Sequence, residues 1–149
     1  MRKTVYRVMA AALVLMTFST LSVAKDKTLY DNLGGKKGIT AVVNDFVGRC
    51  AGDPRIKSFF AADVQDPKKL AHFKMELVNQ ICQAAGGPCK YTGKSMKDAH
   101  AGMGVSTADF NALVEDLVAA LDKAKVAEAD KNTLLGVLGP MKSDIVEKP

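Results

Sequence analysis

Residues 86–104, "GGPCKYTGKSMKDAHAGMG", interrupt a chain that otherwise reads as a succession of helical patterns. The segment opens on Gly-Gly-Pro, closes on Gly-Met-Gly, and carries between them one short helix-forming run, "SMKDAHA" (95–101). A helix of barely two turns is marginal in water unless something outside it holds it in place. Its unusual side chain is His100, one of two histidines in 149 residues; the other is His72, in "KKLAHFKMEL" (68–77). A group bound at His100 and covered by Met96 would supply the missing support.

On either side the apolar residues recur at helical spacing between glycine and proline breaks. "LYDNLGG" (29–35) reads as a short helical turn stopped by two glycines. "GITAVVNDFVGRC" (38–50) lines up Ile39, Val42, Val43, Phe46 and Val47. "GDPRIKSFFAA" (52–62) and "DPKKLAHFKMELVNQICQAAGG" (66–87) each begin with Asp-Pro, a cap followed by proline at the first helical position. The second of these places Leu70, Phe73, Leu77, Ile81 and Ala84 on one face. "STADFNALVEDLVAALDKA" (106–124) opens with Ser106 or Thr107 as cap and buries Phe110, Leu113, Val114, Leu117 and Leu121. In "AEADKNTLLGVLGPMKSDIV" (127–146) the apolar face is Leu134, Leu135, Leu138 and Ile145, with a kink expected at Gly139-Pro140. The fold expected is one all-α domain of four substantial helices plus short ones.

The first 24 residues stand apart. "MRKTVYR" is basic, "VMAAALVLMTFSTL" is apolar but shorter than a spanning helix, and "SVA" offers small residues to a signal peptidase. We therefore expect a signal peptide over 1–24, cleaved after Ala24, a domain over 25–149, and a periplasmic or secreted protein with no membrane association after cleavage. Three of the charges behind the net +5 lie in that leader, leaving a mature excess too small to argue for a nucleic-acid partner. An exported chain can form disulfides. Cys82 and Cys89 flank the break "AAGGP" and could pair, with Cys50 left over; the alternative is buried free thiols.

Two histidines are too few for a metal cage, and no nucleophile-elbow motif accompanies any serine. The paired glycines fit helix stops better than phosphate cradles. One imidazole aimed into an apolar slot is, however, a sufficient protein ligand for haem iron. Against this stands the plain reading of His100 as an ordinary surface or core residue.

The strings "LYDNLGG", "DFVGR", "DPRIKSFF", "GGPCKYTGKSMKDAHAGMGVS" and "FNALVEDLVAAL" together resemble the truncated haemoglobins of group I, across nearly all of residues 28–146. The resemblance implies a two-over-two helical sandwich around haem b. It implies that His100 is the proximal iron ligand and that Phe60 packs against the porphyrin. Phe46, Val47, Phe73, Leu77, Tyr91, Met96, Val105 and Phe110 are the further residues expected at the haem.

The chain departs from the family on the distal side, where a tyrosine usually donates a hydrogen bond to the gas. The aligned residue is Val47, which has no donor. Between Phe60 and Gly86 the chain is also longer than many members, so the register of the helix over 67–85 has two readings. In one, His72 falls near the iron as a second axial ligand. In the other, Phe73 and Leu77 face the iron and His72 points away, which the helical period mildly favours.

Two functions follow from the resemblance. An open distal site would bind oxygen or nitric oxide reversibly, in oxygen binding or transport, or in nitric-oxide detoxification by a dioxygenase-type turnover. A His72–iron–His100 arrangement would serve electron transfer or redox sensing, with an unknown redox partner. A third reading, of a different class, is a haem-free exported helical binding module.

Overall fold

The computed structural model describes residues 26–149; the expected leader lies outside them. Thr28 opens the fold with a capping box, its hydroxyl accepting from the Asp31 amide while the Asp31 carboxylate accepts from the Thr28 amide. The short α1 (Leu29–Asn32) then hands over to α2 (Gly35–Gly52). On α2 the expected stripe is buried, Ile39, Val42, Val43, Phe46 and Val47, and Cys50 extends it by one turn.

The two Asp-Pro signals behave differently. Asp66 caps α4 (Pro67–Ala84), its carboxylate accepting from the amides of Lys68 and Lys69 at 2.9 and 3.3 Å. Asp53 instead starts a turn, and α3 begins only at Lys57 and ends at Gln65. The Asp53 carboxylate accepts from the Arg55 amide at 2.9 Å and also holds the Arg55 guanidinium, which reaches Glu115 at 2.7 Å, so that it caps a turn ahead of the helix. Ile56, 1% exposed, is drawn into the core before the helix can start.

The face of α4 is also wider than one stripe. Val78, Ile81 and Cys82 are its buried apolar residues, while Leu70, Phe73 and Leu77 are half-buried and pack on the same core. The helix meets chiefly α2 and α3, and toward α3 Phe60 and Phe73 stand with ring centroids 6.0 Å apart.

The short α5 (Met96–His100) follows the Gly86–Pro88 break. α6 (Thr107–Lys123) is capped by Ser106 in a second capping box with Asp109, and packs across α2. α7 (Glu128–Leu138) gives way at Gly139 to a 3-10 turn and then α8 (Lys142–Ile145), the kink expected where proline removes a backbone donor. Lys131 of α7 is 9% exposed and sits between the carboxylates of Asp122 and Glu128. The described residues contain one isolated parallel bridge, Ser106 to Lys148, and no helix long and apolar enough to cross a membrane.

Cys82 and Cys89 are bonded to each other, which decides between the two readings of the cysteines. Cys50 is a free, buried thiol whose pKa is pushed up by burial and by the neighbouring Asp116 carboxyl.

Candidate functional site

α5 owes its existence to its ends. Ser95 accepts from the Asp98 amide at 3.1 Å and donates to the Asp98 carboxylate at 2.7 Å. His100 closes the helix, and its Nδ1 lies 2.7 Å from the backbone carbonyl of Met96. A carbonyl can only accept, so Nδ1 carries the proton and the Nε2 lone pair is left free to bind. This is the arrangement by which proteins fix the tautomer and direction of a metal-binding imidazole. Among the described residues no group of three or more His, Cys, Asp or Glu could hold a metal ion. Any iron here depends on a cofactor that brings its own ligands.

The loop before α5 is tied to α4 by a buried acid that the sequence reading missed. Glu76, 8% exposed, accepts from the Thr92 amide at 3.0 Å and from the Thr92 hydroxyl at 2.9 Å. Gln83 adds a bond from the Tyr91 amide at 2.8 Å, and the disulfide joins the end of α4 to the same loop. The Thr92 amide, chiefly, holds the Glu76 carboxyl below its ordinary pKa, against the opposing effect of burial. A carboxylate with a depressed folded pKa stabilises the fold above its unfolded value of about 4.3 and ceases to as pH falls through the folded value. Replacing Glu76 by glutamine should therefore lower stability at pH 7 and leave a shallower acid limb than wild type. Urea unfolding at a series of pH values reads both effects, and parallel acid limbs would refute the clamp.

Most of the apolar residues expected at the haem fall in two clusters. The larger is the main core and holds Phe46 and Val47, both deeply buried, with Phe60, Phe73 and Leu77 half-buried against it. The smaller centres on Val105, Phe110 and Ile145, with Met96, Val114, Met141 and Val146 packed around it. Phe59 touches both clusters, whereas Phe60 touches only the larger. The Gln80 amide spans from α4 toward the sulfurs of Met96 and Met141, at 3.2 and 3.6 Å.

The structure thus places Met96, Val105 and Phe110 in the smaller cluster and Phe60, Phe73 and Leu77 against the larger one, with His100 half-buried at the end of α5. Tyr91 spends its hydroxyl on the Lys94 carbonyl, 2.7 Å away, and serves the loop. His72 is exposed on α4, while its neighbour Phe73 is turned inward. Ile145 belongs to the apolar stripe expected of the last helix, whereas Phe59 and Met141 are additions; the doubled phenylalanine is the available signal for Phe59.

One imidazole whose free nitrogen is directed by the Met96 carbonyl, in a domain with two apolar clusters that hold half-buried rings and thioethers, is a donor set that fits an iron porphyrin. The donor set suits no bare ion. Comparison with known proteins points the same way. Residues 28–147 match the bacterial-like globin family. A group 1 truncated hemoglobin of Tetrahymena pyriformis is 32% identical over 124 residues, covering 83% of this chain and 98% of that protein. Another, from Synechocystis, is 40% identical over 105 residues, covering 68% of this chain and 81% of its own length. The crystal structure of the Tetrahymena pyriformis protein in its Fe(III) form superposes with a TM-score of 0.73 at 30% identity, over 82% of this chain and all of that one. The 2/2 hemoglobin of a Synechococcus species, a cyanomet form with covalently attached heme, gives 0.72 at 26% identity, also over 82% of this chain and all of that one.

Proposed function

Because this chain belongs to the bacterial-like globins, and among them to the group 1 truncated haemoglobins, we propose that His100 is the proximal ligand of its haem and that the opposite face is open to a diatomic gas. Haem binding and gas binding come with the family. The assignment of the iron to His100 rests on one observation, the Nδ1–H bond to the Met96 carbonyl that leaves Nε2 free. When bound, the haem iron offers one coordination position to a gas such as oxygen or nitric oxide.

The protein's own residues set how that position behaves. Phe60 and Phe73 exclude water from the apolar side, and Leu77 extends the same wall. Val47 places no donor where the family usually has a tyrosine. A hydrogen bond to a partly charged group is worth roughly 1.5–3 kcal/mol, so its loss favours rapid release of the gas. The pocket therefore suits fast exchange, as in oxygen delivery or nitric-oxide scavenging. The basic, apolar leader with its small-residue cleavage site supports export, and with it exchange in the periplasm or outside the cell.

The exposure of His72 supports the open distal face over a second histidine on the iron. The test is the visible spectrum of the ferrous protein without added gas. A five-coordinate, high-spin spectrum is the expected result. A six-coordinate, low-spin spectrum that His72→Ala converts to five-coordinate would replace this reading with the electron-transfer one.

A further inference from the structure

His100 is followed by a turn made of glycine, methionine and glycine, in which Gly102 and Gly104 both take left-handed backbone angles, φ 78° and 68°. Such positions suit glycine, and glycines leave a chain free to move unless something fixes them. Here both backbone amides point at one side chain. Gly102 donates to Oε1 of Glu147 at 2.7 Å and Gly104 donates to Oε2 at 2.5 Å, so the two oxygens of one carboxylate each take one amide.

Glu147 is held in its turn by the backbone around it. Its amide and that of Lys148 donate to the Val105 carbonyl, at 2.8 and 3.1 Å, and the Lys148 carbonyl accepts from the Thr107 amide at 3.0 Å. The last residues thus run beside residues 105–107 as a short parallel pair, closed by the Ser106–Lys148 bridge. Val146, next to Glu147, and Ile145 pack in the same small cluster as Met96, the residue whose carbonyl fixes the His100 ring.

We propose that Glu147 is a positioning residue for the proximal histidine: its carboxylate locks the Gly102–Gly104 turn and so sets the tilt of His100, and with it the strength of the bond to iron. α5 has five residues and too little packing to fix its own C-terminal end. On its N-terminal side Ser95 and the Glu76–Thr92 clamp hold it. On the other side, at His100 itself, the carboxylate from the C-terminal tail does so. Charge-assisted bonds from two amides to one carboxylate are short and directional, which is what a ligand's supporting residue needs. The inference rests on His100 being the iron ligand, as proposed above.

The test compares resonance Raman spectra of the ferrous, gas-free holoprotein for wild type, Glu147→Gln, Glu147→Ala and His100→Ala, reading the iron–histidine stretching band, with haem transfer to an acceptor apoglobin as a second readout. Glutamine keeps the size of the side chain and one acceptor oxygen, so it holds one amide of the two. The expected result is a band shifted and broadened in the order wild type, glutamine, alanine, with haem lost about tenfold faster from the alanine variant, the scale usual for removal of a ligand's supporting partner. Should the alanine chain fail to fold, the glutamine chain carries the comparison. An unmoved band in folded Glu147 variants, absent in His100→Ala, would overturn the role of Glu147 alone. A band that survives His100→Ala would overturn the ligand assignment and this inference with it.

Discussion

Replacing His100 by alanine should leave the helices in place and remove the iron from the protein's control. Loss of a residue that merely supports a metal ligand costs about 10–100-fold in affinity, so loss of the ligand itself should weaken haem retention by more than about 100-fold. The fold should survive, because the main core contains neither α5 nor His100 and buries Ile39, Val43, Cys50, Ile56, Leu121 and Leu134 almost completely. Any haem still held by the two apolar clusters should show the spectrum of an iron without a protein nitrogen. Added imidazole should restore the wild-type spectrum by occupying the space the side chain left. Absorption spectra of the variant, with and without imidazole, decide the point. A wild-type spectrum in His100→Ala, before imidazole is added, would move the ligand elsewhere on the chain.

Reducing the Cys82–Cys89 disulfide should lower the thermal stability of the domain by a readily measured amount. The two cysteines are seven residues apart, and closing a loop of that size is worth about 2–3 kcal/mol in the chain-entropy description. For a domain of this length that corresponds to a fall in Tm of roughly 10 °C. The loop enclosed by the bond includes the Gly86–Pro88 break that re-aims the chain from α4 toward α5, so reduction should also loosen the approach to His100. Cys50 does not confuse the experiment: it is buried, and burial and Asp116 raise its pKa, so the thiolate that reacts with alkylating reagents is scarce. Calorimetry in the presence and absence of a dithiol, with alkylation to count the freed thiols, gives the answer. An unchanged melting temperature in a sample shown to have two new thiols would mean that the bond constrains nothing that the fold does not already hold.

The fold was largely legible because its decisive signals are local. Asp66 and Pro67 start α4 through bonds that reach only two and three residues along the chain, and Ser106 with Asp109 does the same for α6. At the identical Asp53-Pro54 pair the same bond forms, from the Arg55 amide, yet the helix starts only at Lys57; that carboxylate also holds the Arg55 guanidinium, which reaches Glu115, 60 residues away. The stripe on α4 was read as one face because sequence periodicity gives a direction but not the number of neighbours that share it.

The site divides in the same way. His100 stands out from its surroundings in the sequence, and Met96 lies one turn before it. Its supports do not: Glu76 reaches forward 16 residues to Thr92, and Glu147 reaches back 45 residues to Gly102. Nothing in the vicinity of either glutamate marks it as different from any other surface acid. Which of two adjacent rings, Phe59 or Phe60, reaches both clusters depends on how α3 is rotated, a matter of tertiary packing.

The pairing of residues 105–107 with residues 147–148, about 40 positions further on, has a kinetic meaning. Contacts between distant parts of a chain form late, because the intervening segment must be closed before they are rewarded. Glu147 and Lys148 are also made after all of α1 to α8. The turn behind His100 therefore cannot be fastened until they have left the ribosome, although α2 and α4, far upstream, can already pack. Nascent chains would carry a formed core and an unfinished socket, and tight capture of haem becomes an event that follows synthesis of residues 147–148.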